Sequence, residues 1–417
     1  MSGTMTVEEA RERVFARCRV LEAEEVGLLD ALGRVLAAEA RSDIDVAPFD
    51  NSAMDGYAVH AADLAGASSD APVTLDVVSH IAAGDYSDLE VGPGQAARIM
   101  TGAPMPPGAD SVVMVEFTES GAAEGSTGGT VRVMREPQLG EHIRRRGEEV
   151  RAGDVVLAAG EIIGPAGIGL LASTGHATVT VFRRPRVAVL STGDELVEVD
   201  EVPGPGQIRN SNSYSIAAQV IAAGGVPVRY PIVSDDPDAT RDAFTRAAAE
   251  CDFIVTSGGV SVGDFDYVKP ILEELGEMEF CKVAMRPGNP QTLGSIGDVP
   301  FFGLPGNPTS TFVGFEIFVR PALRYMQGHT ELDRPRQTVR LAHDVKKKQD
   351  RRYYLRARVT VADDGALEAA LSGSQSSALL TAAHRGNCLL VLPQGEGFFA
   401  AGSEVEVIRL DREEGIA

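Results

Sequence analysis

"RVAVLSTGDELVEVDEVPGPGQIRNSNSYSIAAQVIAAGGVPVRYPIV" (186–233) decides how the middle of this chain folds. Its first seven residues are a short apolar run of strand length, the pattern of a strand buried on both faces. SNSYSIAAQVIAAGG reads as a helix that Ser211 or Asn212 can cap and Gly224 closes, and VPVRYPIV as the next strand. The alternation then continues. DDPDATRDAFTRAAAE is a helix with Asp236 as N-cap and Pro237 at its first position; DFIVTSG is a strand and YVKPILEEL a helix. Strands alternating with helices predict a mainly parallel sheet covered on both faces over 185–330. Ligands are expected beyond the carboxyl ends of its strands.

On either side the texture changes. Residues 6–40 read as helical, since Thr6-Val7-Glu8-Glu9 is a capping box and Val7, Ala10, Val14 and Cys18 recur at helical spacing. From 45 to 140 come short β-like runs (VTLDVV, ARIM, SVVMVEF, VRVM) separated by Gly/Pro turns, with TESGAAEGSTGGT (118–130) as a hairpin tip. Residues 141–184 hold a basic cluster, a turn at Gly164-Pro165 and a short helix. GIGLLA (167–172) fits a dinucleotide fingerprint, but it follows that turn rather than a strand, so its glycines read as helix packing. After a linker at 334–336, residues 337–410 return to strand-like alternation. The expected fold is multidomain α/β plus β. A three-layer α/β/α domain (185–330) stands with a β-rich domain (45–140), a discontinuous linker domain (1–44 with 141–184) and a C-terminal β-barrel-like domain (331–417).

Composition narrows the function classes. A net charge of −22 argues against nucleic-acid binding, which needs Lys and Arg against phosphates. It leaves room for a local basic pocket and a small anionic ligand. No apolar run approaches the ~18 residues of a membrane span, and MSGTMTVEEARERVF lacks the basic-then-apolar order of a signal peptide. A cytoplasmic protein without membrane insertion is expected. Cys18, Cys251, Cys281 and Cys388 are scattered and read as reduced, buried thiols.

Four polar loops end strands of the α/β segment: Ser191-Thr192-Gly193-Asp194-Glu195, Ser234-Asp235-Asp236, Ser257 through Asp266, and Gly303 through Ser310. Glycines there let backbone N–H groups approach an oxyanion, and nearby carboxylates suit a magnesium ion. Thr309 and Ser310 open an apolar helix and so offer donors to an anion. Gly259-Val260-Ser261-Val262-Gly263 also fits the elbow of serine hydrolases. An elbow needs its serine directly between strand and helix, with an acid and a histidine later in the chain. Here Ser257-Gly258-Gly259 intervene, Asp264 and Asp266 follow, and His329, His343 and His384 lie at a domain edge or in the β-domain; the phosphate-cradle reading fits better. Arg144, Arg145 and Arg146 in HIRRRGEE offer forks to a tetrahedral oxyanion, as do Lys282 and Arg286 in CKVAMRPGNP. KKKQDRR (346–352) is assigned to solvent or a partner surface.

Taken together, PFDNSAMDGYAV (48–59), RIMTGAPMPPGAD (98–110), IRRRGEEV (143–150), VAVLSTGDEL (187–196), SDDP (234–237), TSGGVSVGDFDYVK (256–269), GLPGNPTS (303–310) and GNCLLVLP (386–393) closely resemble the molybdopterin molybdenumtransferase family, which includes MoeA and the E domain of gephyrin. The resemblance implies an elongated homodimer of four-domain subunits. Its cleft would lie between the α/β domain of one subunit and the 45–140 domain of the other. The implied reaction inserts molybdate into adenylylated molybdopterin and releases AMP with the help of magnesium. Carried over by motif, Asp55, Glu195, Asp235, Asp266 and Lys282 match catalytic positions, with Asp235 and Asp266 preferred for the metal. Thr101, Arg144, Ser257, Gly258, Gly259, Ser261, Arg286, Gly306, Asn307 and Ser310 match substrate-binding positions. Where many relatives read KPGKP, this chain has Arg286-Pro287-Gly288-Asn289-Pro290, and Glu149 stands where they often have Asp. The alternative is a gephyrin-like scaffold whose dimer holds peptide tails of receptor or cytoskeletal partners near the C-terminal domain.

Overall fold

The computed structural model describes residues 4–120, 128–258, 268–395 and 397–412. Its central sheet runs Val226–Arg229, Arg186–Ser191, Phe253–Ser257, Val299–Leu304, Pro290–Ile296, Gly276–Lys282. Successive neighbours are parallel as far as Val299–Leu304, and the two remaining strands join antiparallel. Side chains alternate across this sheet. Val187 and Val189 face a core shared with Ile216, Val220 and Leu323. Ala188 and Leu190 face another, with Phe244, Ala247 and Leu272. Helices therefore cover both faces, which is why the central strands are apolar at every position. The expected three-layer α/β/α arrangement is found.

Two other sheets flank it. One is a mixed six-stranded sheet in the order Ser111–Met114, Gly56–Val59, Gln95–Ile99, Val73–Ile81, Thr130–Val133, Thr118–Ser120. The strands Thr118–Ser120 and Thr130–Val133 pair as the expected hairpin. Its tip at 121–127 lies outside the described residues. In the C-terminal region Arg352–Val361, Leu367–Leu371, Arg336–Leu341, Glu404–Arg409 and Cys388–Leu392 pair in that order, and the last returns to the first. This closes a five-stranded barrel.

The N-terminal segment departs from expectation. The capping box forms in both directions, with the Glu9 amide donating to Thr6 Oγ1 at 3.1 Å and the Thr6 amide to Glu9 Oε2 at 2.8 Å. The helix, however, covers only Val7–Phe15. Ala23–Gly27 is a strand paired antiparallel with Thr178–Phe182. A cross-strand partner more than a hundred residues away overrides the weak helical preference of LEAEE. Nor does the helix join 141–184, as the discontinuous domain requires. Val7, Ala10 and Val14 pack into the α/β core with Cys281, Val283 and Ile317. The 141–184 segment instead shares a core with residues 31–40, through Leu36, Ala40, Leu157, Ile163, Leu171 and Val181. The helix Pro165–Ser173 starts at Gly164-Pro165 as expected, and a Cβ on Gly167 would stand 3.3 Å from Leu157. In the α/β segment Asn210, not Ser211 or Asn212, caps Ser211–Ala222.

One ion pair fastens this small core to the sheet. Arg183 donates two bonds to Asp252, at 2.8 and 2.7 Å, and Asp252 Oδ2 also accepts the Arg186 amide at 2.7 Å. Burial alone would raise the Asp252 pKa. The Arg183 hydrogen bonds, the Arg186 amide and the two guanidinium charges outweigh it and hold the carboxyl below the ordinary aspartate range. A depressed folded pKa gives stability that is present above the unfolded value and lost as pH falls through the folded one. Asp252→Asn is expected to cost about 1.5–3 kcal/mol at neutral pH. The gap to wild type should narrow below the ordinary aspartate value of 3.8. Thermal melts across pH check both; a gap that persists in acid would assign the loss to packing.

Candidate functional site

The parallel strands end at Ser191, Arg229, Ser257 and Leu304, so the loops that follow share one edge. Thr192 bridges Val233, and the Gly258 amide donates to the Leu304 carbonyl at 3.2 Å. The Asp235 amide donates to Asp194 Oδ1 at 3.2 Å. Asn212 ties two further loops, its Nδ2 donating to Ser257 Oγ at 2.6 Å and to the Gly306 carbonyl at 2.7 Å. That bond explains why Asn212 is not the helix cap. Gly258 has φ +87°, and a Cβ there would stand 3.3 Å from the Thr192 carbonyl, so the close approach needs glycine. Ser257, Gly258, Gly306, Asn307, Glu195 and Asp235 therefore lie on one sheet edge. Gly259, Ser261, Asp264 and Asp266 lie outside the described residues.

This edge is also under-bonded. Ser191 Oγ, Thr192 Oγ1, Thr256 Oγ1, Asn210 Nδ2 and Asn212 Oδ1 are all buried without a hydrogen-bond partner. Buried polar atoms are nearly always satisfied, so a group of orphans at one strand edge marks a place built for a polar guest or ordered water.

The antiparallel strands bring the cations here. Gly276–Lys282 runs in the same sense as Val299–Leu304, since two antiparallel steps separate them, so Lys282 ends at the same edge. The turn beyond it packs on the helix start. A Cβ on Gly288 (φ +87°) would lie 3.5 Å from the Ser310 carbonyl. Asn289 Nδ2 donates to the Val283 carbonyl at 2.6 Å, so this side chain holds the turn. Met285–Arg286 adds to the barrel edge, opposite Arg352 and Tyr353. There Arg286, Lys346, Lys348 and Arg356 share a cavity of 360 Å³ with Tyr353 and Gln375.

Arg356 is the residue that sequence reasoning missed. It is 1% exposed, its Nε has no partner, and its Nη atoms reach only the backbone carbonyls of Tyr354, Ser374 and Ser376. Burial, and then repulsion from Arg286, lower its pKa to about 10, which leaves it charged at neutral pH. A desolvated guanidinium without a carboxylate is costly unless an anion completes it. The signal was an arginine in phase with Tyr354, on the face of its strand opposite the barrel-core residues Tyr353, Leu355, Ala357 and Val359. KKKQDRR needs correction as well: Lys346 and Lys348 line this cavity, and Lys347 is buried, donating to the Pro393 and Gly395 carbonyls. Thr309 is not free to bind an anion either. Its amide and hydroxyl donate to the carbonyls of Ser377 and Leu379, at 2.9 and 2.8 Å, and so seat the barrel loop on the helix start. Ser310 is buried beside it.

A second group forms at one end of the β-rich sheet. Arg144 pairs with Asn51, and the Gly102 amide donates to the Ser52 carbonyl at 2.8 Å. Asp55 Oδ1 accepts both the amide and the hydroxyl of Thr101, each at 2.7 Å. Those two bonds, the amide first, lower the Asp55 pKa and keep it a carboxylate. Arg145 and Arg146 pair with Asp50 and Asp45, while the Arg144 guanidinium makes no hydrogen bond among the described residues. Asp55, Thr101 and Arg144 thus come together. Among the described residues no hydrogen bond or ion pair joins them to the α/β strand tips in the same chain.

Metal ligation is only partly legible. Asp194, Glu195 and Asp235 are exposed on two adjoining loops. No group of three or more His, Cys, Asp or Glu among the described residues is placed to hold an ion. His329, one hydrolase candidate, sits elsewhere, its Nδ1 3.3 Å from Arg324.

Comparison with known proteins adds the family. Residues 5–175 match the MoeA N-terminal region (domain I and II), 188–325 a "probable molybdopterin binding domain", and 338–410 the MoeA C-terminal region (domain IV). The chain is 40% identical over 411 residues to the molybdopterin molybdenumtransferase of Bacillus subtilis (strain 168), covering 98% of this chain and 95% of that protein. It is 40% identical over 394 residues to that of Nostoc sp. (strain PCC 7120), covering 93% and 89%. A crystal structure of the molybdopterin biosynthesis MoeA protein of Pyrococcus horikoshii superposes with a TM-score of 0.80 at 31% identity, covering 99% of this chain and all of the other.

Proposed function

Because the chain belongs to the MoeA family of molybdopterin molybdenumtransferases, whose work is molybdenum cofactor biosynthesis, we propose that it inserts molybdate into adenylylated molybdopterin and releases AMP. One observation carries this reading: orphaned polar groups stand at the strand tips, and just beyond Lys282 at that edge the chain reaches Arg286, in a cavity shared with Arg356, Lys346 and Lys348. A nucleotide-linked guest would lie along the strand tips, its phosphates against the glycine loops of Ser257-Gly258 and Gly306-Asn307. The tetrahedral oxyanion would sit between Arg286 and Arg356, held by planar forks. The cation lost at Asn289 is thus replaced from the barrel. Lys282, at the same edge, would offset charge on the leaving phosphate.

Magnesium is part of this reading. Asp235 offers a hard oxygen donor of the kind the ion prefers, and Asp266 is the further candidate from sequence. When bound, the ion would polarise the phosphoanhydride. In this reading Asp55, Thr101 and Arg144 complete the site from another subunit. The reading therefore includes a homodimer with its cleft shared between subunits, and the four-domain division of each subunit. No described helix is long and apolar enough to cross a membrane.

The scaffold alternative gains no support. In the barrel the large apolar side chains exposed among the described residues are Val361, Leu379 and Phe398, on three separate elements. A peptide-docking surface needs a contiguous patch. The test is turnover: purified protein with adenylylated molybdopterin, molybdate and magnesium should yield active cofactor and stoichiometric AMP. AMP release without molybdenum in the product, or no release at all, rejects the assignment.

A further inference from the structure

A second basic cavity lies at the other end of the sheet. Arg184 immediately precedes the strand Arg186–Ser191, and Gly224 precedes Val226–Arg229, so their surroundings face away from the strand tips. Here a cavity of 440 Å³ is walled by Arg34, Arg184, Arg320, Arg324, Arg334 and Arg412. Six guanidiniums gathered in one hollow, on a chain of net charge −22, oppose both self-repulsion and desolvation.

Four of these six, Arg34, Arg320, Arg324 and Arg334, are engaged by partners of their own. Arg34 pairs with Glu24 and donates to the Phe182 carbonyl at 2.7 Å, yet its Nε is buried without a partner. Glu316 lies 2.7 Å from Arg334 and 3.9 Å from Arg320. Arg324 Nε donates to the Glu331 carbonyl at 3.0 Å. Asp411, at the rim, is held by Arg409 through bonds of 2.9 and 2.8 Å. The guanidiniums of Arg184 and Arg412 make no hydrogen bond among the described residues. His329 adds no charge, since burial and then Arg324 and Arg320 lower its pKa to about 3.

Helix C-termini offer a competing explanation, because their carbonyls attract cations. The ends of Ser211–Ala222 and Arg320–Met326 do meet here. Gln327 Nε2, however, already donates to the Ala223 and Leu323 carbonyls, both at 2.9 Å. A neutral amide caps these ends, so they do not account for the guanidiniums of Arg184 and Arg412.

We propose that this cavity is a second ligand site, separate from the strand-tip site, for a small organic phosphate of nucleotide size. Its volume falls within the range of ~300–1,000 Å³ usual for small-molecule sites, far beyond one inorganic oxyanion. Leu32, Ile162, Ile221 and Leu410 give it an apolar wall beside the arginines. A ligand with a phosphate at one end and a flat ring at the other matches both surfaces. Arg184 and Arg412 at the mouth take the phosphate, and the aliphatic wall takes the ring.

AMP is a suitable probe. Calorimetric titration uses the full chain carrying Lys282→Ala, which removes the cation facing the phosphate at the strand-tip site, with and without Arg184→Gln and Arg412→Gln together. The cavity should bind AMP, pyrophosphate should displace it, and the added pair should weaken binding at least about tenfold. In an otherwise wild-type chain the same pair should leave molybdate-dependent turnover intact. Equal AMP affinity with and without the pair overturns the proposal, as does failure of pyrophosphate to compete. A change in particle mass by light scattering on introducing the pair also overturns it, since the arginines would then face another copy of the chain.

Discussion

Arg356→Gln should lower molybdate-dependent turnover by about a hundredfold or more and raise the KM for molybdate, while AMP affinity stays near wild type. The magnitude follows from removing one preorganised charged donor in a desolvated site, which typically costs about 10²–10³ in rate. The direction follows from position: Arg356 is 1% exposed, its Nε is unpartnered, and it shares its cavity with Arg286. Arg356→Lys should fall between, keeping the charge but losing the planar fork. A purely structural role would look different. Arg356 reaches the carbonyls of Tyr354, Ser374 and Ser376, so a scaffold function predicts a lower melting temperature with an unchanged molybdate KM. That outcome would remove Arg356 from the site.

Mixing two inactive variants should restore turnover. Asp55→Ala disables the group containing Thr101 and Arg144, and Lys282→Ala disables the strand-tip group. Each homodimer should be nearly inactive. If every cleft takes one group from each subunit, a mixed dimer has one cleft with both defects and one with none. Random assembly makes half the dimers mixed, so about a quarter of wild-type turnover should return to the unfractionated mixture and about half to the mixed dimers alone. The motive is that Asp55 is bonded to Thr101, and no hydrogen bond or ion pair among the described residues links this group to the strand tips of its own chain. Coexpression under two affinity tags, followed by assay of the doubly tagged fraction, measures it. Mixed dimers as inactive as their parents would place both groups in one subunit's cleft.

Periodicity and punctuation made much of this molecule legible. Asp236 caps its helix with Pro237 at the first position, and Gly164-Pro165 starts another. The apolar runs of the central strands announced burial on both faces, and the glycine loops fell at one sheet edge as their place after the strands implied. Each is a local signal, set by backbone sterics, capping or side-chain alternation within a few residues.

What stayed hidden depended on partners distant in the chain. LEAEE could not reveal that Ala23–Gly27 would pair with Thr178–Phe182. The spacing of Asn212 suggested a cap, but contact with Ser257 and Gly306 gave it a different bond. Lys346 and Lys348 read as surface charge until the fold placed them in one cavity with Arg286 and Arg356. Sequence alone determined the strands and helices of the α/β segment, its layer order and the character of the strand-tip loops, because those obey short-range periodicity. Tertiary structure alone decided which cations share a cavity, because burial and desolvation are properties of packed neighbours rather than of any single segment.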